Sequence, residues 1–295
     1  MVTKPVVVGV DGSEESLLAA EWAAMEAKRR GLALQIVSVP ATMPRTHAYH
    51  VSPATVASAL RGISARALDA AITRSEEVAP GLPIATGLLS GPPALALTDS
   101  GSGASMLVVG ARGAGGFAAM VLGSVSRYAA AHAPCPVVVV RQEVMAVHRE
   151  IAIGIRDPQD TSNALDFAFE EAAIRRADLV VVHAWNWFPS ALGASVERDD
   201  AVLRPADPGQ ISAEAGRRLA AALDGWRNKY PDVRVHHDVI HGHPARVLAN
   251  YTSRADLVVL GRHGGADGAG HAIGSIQHAV LDHARGPVAI VPSDS

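Results

Sequence analysis

Apolar residues in the first half of the chain gather into short unbroken runs: Val6–Val10, Leu34–Val39, Pro83–Leu89, Met106–Val109 and Val137–Val140. Runs of this length without polar alternation predict parallel strands buried on both faces. The stretches between them carry a helical rhythm. After the turn Asp11-Gly12-Ser13, Leu18, Trp22 and Met25 recur at helical spacing. Ser13 suits the N-cap, with Glu14 and Glu15 at the positive end of the helix dipole. Lys28-Arg29-Arg30 before Gly31 mark its stop. An Ala-rich helix over Ala54–Val78 and a short one over Pro93–Ser100 follow. Strand and helix alternate, which predicts an α/β fold with a doubly wound parallel sheet flanked by helices.

The plan is written twice. "VVVGVDGSEESLLAAEWAAMEAKRRGLALQIVSV", from Val6, matches "IAIGIRDPQDTSNALDFAFEEAAIRRADLVVVHA", from Ile151, with Gly9 on Gly154, Trp22 on Phe167 and Val39 on Ala184. Later, Gly91-Pro92-Pro93-Ala94 matches Gly242-His243-Pro244-Ala245, and His132-Ala133 matches His283-Ala284. Gly154 lies 145 residues after Gly9 and Gly242 lies 151 after Gly91, so six extra residues fall between, around Asn186–Gly209. Two tandem domains are expected, 1–143 and 149–295, each of ordinary size and joined near Arg141–Glu150.

Composition narrows the function classes. The formal net charge is −3, which gives no electrostatic reason to expect nucleic acid or an anionic membrane as partner. No apolar run approaches the ~20 residues that span a bilayer, and the opening Met-Val-Thr-Lys-Pro lacks a leader-like apolar core. Cys135 is the single cysteine, so a thiolate metal cluster and an intrachain disulfide are both excluded. A cytoplasmic location fits these features.

The stretch "GARGAGGFAAMVLGS", Gly110 to Ser124, follows the fourth apolar run and holds five glycines in fifteen residues. Its counterpart "GRHGGADGAGHAIGS", Gly261 to Ser275, agrees at the first, fourth and fourteenth positions and in the closing serine. In open parallel sheets, ligands sit beyond the carboxyl ends of the strands, which is where this loop leaves. Gly110 and Gly113 present backbone N–H groups without a Cβ in the way. Gly123-Ser124-Val125-Ser126 open a helix whose free N–H groups, dipole and hydroxyls suit an anion such as a polyphosphate. A flexible glycine lid without a ligand is the alternative. The P-loop pattern is absent. Gly113-Ala-Gly115-Gly-Phe-Ala118 matches a dinucleotide-type string, but after the fourth strand and without a second copy, so that site is discounted.

Gly110-x-x-Gly113, nine residues, then Gly123-Ser124 resembles the G-2x-G-9x-G-[ST] signature of ATP-binding universal stress proteins. The likeness covers nearly the whole chain twice, through "VVVGVDGS", "GPPA" and "GHPA", "APCPVVVV" and "RGPVAIV". The chain resembles a tandem member of that family. The resemblance implies a five-stranded parallel sheet of order 3-2-1-4-5 in each half. It also implies fifth-strand pairing made inside the chain, and homodimers of the chain besides. The implied ligand is an adenine nucleotide, ATP with or without Mg2+. Asp11 would accept hydrogen bonds from the nucleoside, with Gly9 leaving room beside it, and Val39 would offer its backbone to the adenine edge. Val109, Gly110, Arg112 and Gly113 would border the phosphates, with Gly123, Ser124, Val125 and Ser126 binding them at the helix start. Gly261, Gly264, Gly274 and Ser275 are the counterparts in the second half.

The second half departs from the pattern. Arg156 stands where Asp11 stands, Asp157 is displaced by one residue, and Pro158 replaces the Ser13 cap. Gln277 replaces Ser126, removing a compact hydroxyl from the phosphate end, while His263 and Asp267 enter the loop. The first site is therefore expected to bind ATP and the second to be weaker, altered or empty. Most of the thirteen histidines lie in the second half. His237, His241 and His243 invite a metal reading but lack an anchored ligand spacing and are read as solvated; no metal site is expected. His263 and His271 are read as loop decoration, Cys135 as a packed residue, and Trp185 and Trp187 as packing rather than pocket residues. Three functions stand: a nucleotide-dependent stress-response regulator working with an unidentified protein partner, a slow ATPase or autophosphorylating enzyme, and a scaffold without nucleotide. No general base is evident beside the phosphates, which favours the regulator over the enzyme.

Overall fold

The structure, a computed structural model, describes residues 3–41, 52–113, 122–141, 147–156, 162–185, 208–262 and 273–293. The first half contains β1 (Val6–Gly9), α1 (Glu14–Arg30), β2 (Leu34–Ser38), α2 (Pro53–Val78), β3 (Ile84–Leu88), α3 (Pro93–Ser100), β4 (Met106–Gly110), α4 (Ser124–His132) and β5 (Val137–Val140). The second half repeats the order with β6 (Glu150–Gly154), α5 (Ser162–Arg175), β7 (Asp178–Trp185), α6 (Pro208–Lys229), β8 (Val235–His241), α7 (Pro244–Tyr251), β9 (Leu257–Arg262), α8 (Ser275–His283) and β10 (Val288–Pro292).

All ten strands form one sheet, β3-β2-β1-β4-β5-β10-β9-β6-β7-β8, so each half has the expected 3-2-1-4-5 order. Pairing is parallel within each half. The seam is antiparallel: Val137, Val138 and Val139 of β5 face Ile290, Ala289 and Val288 of β10. The unbroken apolar runs of β1, β4 and β5 bury completely, because helices cover both faces there. The outermost strands β3 and β8 are partly exposed, since each has a neighbour on one side only. Two apolar layers result. Val6 and Val8 of β1 join the layer under α1, α2, α5 and α6, while Val7 joins the layer over α3, α4, α7 and α8.

The sequence signals of α1 work as anticipated. Ser13 accepts a hydrogen bond from the Ser16 N–H, and Gly31 closes the helix at φ 64. The helix packs mainly through Ala19, Ala20, Ala23, Ala24 and Ala27, with Trp22. It touches β1, β4 and α2, and also α5 of the second half.

At the α1–α5 contact, Glu26 and Glu171 are fully buried, and Arg30 and Arg175 nearly so. Each guanidinium bonds both carboxylates. Arg30 Nε lies 2.6 Å from Glu26 Oε1 and Arg175 Nη2 lies 2.5 Å from Glu26 Oε2, while Glu171 closes the ring with both arginines. Arg30 also lies over the Phe167 ring and Arg175 over the Trp22 ring, at 5.6 and 5.8 Å. The ring obeys the internal repeat, for Glu171 and Arg175 each lie 145 residues after Glu26 and Arg30. Burial holds the Arg175 pKa below its usual value, with Glu26 opposing and Arg29 and Arg30 adding to the fall.

Candidate functional site

The carboxyl ends of β1, β2 and β4 open on a cavity of about 450 Å³ in the first half. All eleven first-half residues singled out from the sequence line it: Gly9, Asp11, Val39, Val109, Gly110, Arg112, Gly113, Gly123, Ser124, Val125 and Ser126. Sequence reasoning missed Val10, Ser16, Val37, Ser38, Ala41, Leu60, Ile63, Ser64, Pro93 and Leu97. Leu60, Ile63 and Ser64 sit one turn apart on α2, a spacing visible in the sequence but not the face it would serve. Leu60 and Ile63, together with Val37, Ala41 and Leu97, make one end of the cavity mainly apolar.

The opposite end is built from backbone. No side chain caps the N-terminus of α4, where Gly123 is the N-cap, so its first-turn N–H groups stand at the wall. Ser124 is exposed there. Ser126 is buried, and its hydroxyl donates to the Gly110 carbonyl at 2.6 Å. That bond ties the start of α4 to the end of β4.

Gly110 and Gly9, which line the cavity, also serve packing. A Cβ on Gly110 would lie 2.7 Å from the Glu15 carbonyl oxygen and 2.9 Å from the Ser16 nitrogen. Absence of that atom lets the first turn of α1 rest on β4. A Cβ on Gly9 would strike Leu97 of α3 at 2.6 Å, and one on Gly154 would strike Leu248 of α7 at 2.7 Å. Gly9 therefore makes room for Leu97, not for Asp11.

Asp11 is held by the N-cap of α1. Its Oδ1 accepts from the Ser13 N–H at 3.0 Å and from the Ser13 hydroxyl at 2.6 Å, while its own N–H reaches Ser16 Oγ at 3.3 Å. Its Oδ2 faces Gly113, where a Cβ would collide with it. The sequence reading set Asp11 and Gly113 at opposite ends of a nucleotide; the fold brings them side by side, because β1 and β4 are neighbours. Arg112 donates from Nε and Nη2 to Glu15 Oε1 at 2.7 and 2.5 Å, and this hydrogen-bonded pairing raises its pKa.

In the second half, Gly261 lies in β9, Gly274 is the N-cap of α8 and Ser275 begins that helix. Gly264, Asp157, Pro158, Trp187, His263, Asp267 and His271 lie outside the described residues. Gln277 does not simply remove the hydroxyl of Ser126. Its Nε2 donates to the Gly261 carbonyl at 2.8 Å, the bond Ser126 makes to Gly110. The longer side chain also lays its Oε1 where a Cβ of Gly274 would stand, against the start of α8. Arg156 is exposed just after β6. Trp185, at the end of β7, packs on His241 at 4.7 Å, and its buried indole nitrogen has no hydrogen-bond partner.

His237 and His241 lie on the edge strand β8 and His243 is the N-cap of α7, all exposed. Among the described residues, no group of three histidine, cysteine or acidic side chains could hold a metal. Cys135 is buried, and desolvation pushes its thiol up to about 11. Native protein at pH 8 is expected to react with iodoacetamide about a hundredfold more slowly than the unfolded chain. Equal rates, followed by mass spectrometry, would contradict that burial.

Among the described residues, no helix is long and apolar enough to cross a membrane. A family model described as the universal stress protein family matches residues 3–141 and again 148–292. A universal stress protein of Mycobacterium tuberculosis is 33% identical over 98% of this chain and 96% of its own length. One from Mycolicibacterium smegmatis is 33% identical over 97% of this chain and 96% of its own. A crystal structure of a universal stress protein from Archaeoglobus fulgidus covers 99% of both chains at 15% identity with a TM-score of 0.70, a likeness of fold. Twice matched along its length and arranged as two fused α/β halves, the chain belongs to the universal stress protein family.

Proposed function

We propose that the first-half cavity binds an adenine nucleotide, ATP with or without Mg2+, and that the chain acts as a nucleotide-dependent stress-response regulator. One observation carries this: a single cavity gathers all eleven anticipated residues, apolar at one end and lined by helix-start N–H groups at the other. The base fits the end formed by Val37, Val39, Ala41, Leu60 and Ile63, and the phosphates fit the start of α4. The working units are residues 1–143, which bind, and 149–295, whose site is weaker, altered or empty, a reading supported by the Gln277 side chain crowding the start of α8. Homodimers and a protein partner that reads the bound state belong to the same proposal, as does a cytoplasmic location.

The expected stoichiometry is one nucleotide per chain, measured by calorimetry with ATP on the full chain. The nucleotide carried by freshly purified protein, released by denaturation, is expected to be an adenylate on chromatography. Two equivalent sites, or no adenylate affinity, would overturn the assignment. A second reading, slow ATP hydrolysis, draws on Asp11, whose carboxylate beside Gly113 supplies a base or a Mg2+ ligand at the phosphate end. Turnover above the protein-free blank that Asp11→Asn removes would favour it.

A further inference from the structure

The glycine-loop wall of the cavity has a charge balance of its own. Arg112 is bound through two nitrogens to one oxygen of Glu15. The Glu15 side chain is 16% exposed, against 42% for Arg112. Close packing of the Glu15 backbone on Gly110 fixes this carboxylate at the end of β4. A second guanidinium stands nearby. Arg141, just past β5, donates from Nη2 to the Leu281 carbonyl at 2.6 Å, and its buried Nε has no hydrogen-bond partner among the described residues. Burial first and then Arg112 lower its pKa, while Glu15 and Asp282 raise it, so the two arginines and Glu15 share one field.

We propose that Glu15 is a specificity residue whose carboxylate offsets Arg112 and weakens the pocket's hold on each added phosphate of a bound adenylate. The proposal rests on the adenine-nucleotide reading. The N–H groups of α4 can serve the first phosphate without any charged side chain. A second and third phosphate bring further negative charge toward Arg112. There they meet a guanidinium already paired with Glu15, whose carboxylate has cancelled much of its attraction. Glu15 thus tilts the site toward shorter phosphate tails, and losing its charge steepens the gain in affinity from AMP through ADP to ATP.

The test is calorimetric titration of the full chain with AMP, ADP and ATP at fixed ionic strength. Wild type, Glu15→Gln, Arg112→Ala and the double variant are compared. Glu15→Gln is expected to raise the ATP-to-AMP affinity ratio about fivefold, and to do nothing to that ratio once Arg112 is alanine. An unchanged ratio with adenylates still bound overturns the proposal alone. So does a falling ratio, which would make Glu15 a residue that merely positions Arg112. Failure of the wild type to bind any adenylate overturns both this proposal and the reading beneath it.

Discussion

Changing Glu171 to alanine is expected to destabilise the chain by about 3–5 kcal/mol, the usual cost of breaking a buried ion pair from one side. Glu171 bonds Arg30 and Arg175, and neither guanidinium has water to turn to, being 9% and 8% exposed. Removing one carboxylate leaves two nearly buried cations with Glu26, which Arg29 also reaches at 3.5 Å, and with the exposed Glu170, 3.4 Å from Arg30. Urea denaturation followed by circular dichroism measures the loss. Glu214→Ala is the control: Glu214 also bridges two arginines, Arg217 and Arg218, but on an open helix surface, and no measurable change is expected. A Glu171 variant as stable as this control would mean the ring is not tightly desolvated. The measured loss is the cost of stranding charges rather than the ring's net worth. A fully apolar replacement of all four residues can come out nearly neutral.

Gly110→Ala and Gly113→Ala are expected to fail in opposite ways, although the sequence motif treats the two glycines alike. At Gly110 the added methyl meets backbone, the Glu15 carbonyl at 2.7 Å, and backbone cannot rotate away. The substitution forces α1 and β4 apart and is expected to cost about 2–3 kcal/mol of stability with or without ligand. At Gly113 the methyl meets the Asp11 carboxylate, on an exposed loop. Stability should barely change there, while displacing Asp11 from its Ser13 bonds lowers adenylate affinity roughly tenfold. Denaturation curves and nucleotide titrations on both variants separate the two effects. The reverse pattern would show that Gly110, not Gly113, is the ligand's glycine.

Much of this architecture was written in the sequence. Valine runs marked the strands, Ser13 and Gly31 bounded α1, and the double recurrence of the glycine loop gave the number of halves. The cavity was legible at its backbone end because glycines and helix starts have local signatures. It was illegible at its apolar end. Which face of α2 turns toward β2 depends on packing between elements, so Leu60 and Ile63 looked like any other helical pair. Glu26 and Arg30 have the spacing of a solvated helix surface, and only the docking of α5 makes them interior. Gln277 read as a lost hydroxyl because sequence comparison sees a residue change, whereas the hydrogen bond to the preceding strand survives it.

The antiparallel seam between β5 and β10 has a consequence for assembly. Each half uses its inner border on the other half, joined by one polypeptide, so this union does not loosen on dilution as a bimolecular pair would. No fifth-strand border is left open to a newcomer. Among the described residues, a second chain finds helix faces and the outlying strands β3 and β8 instead of this border.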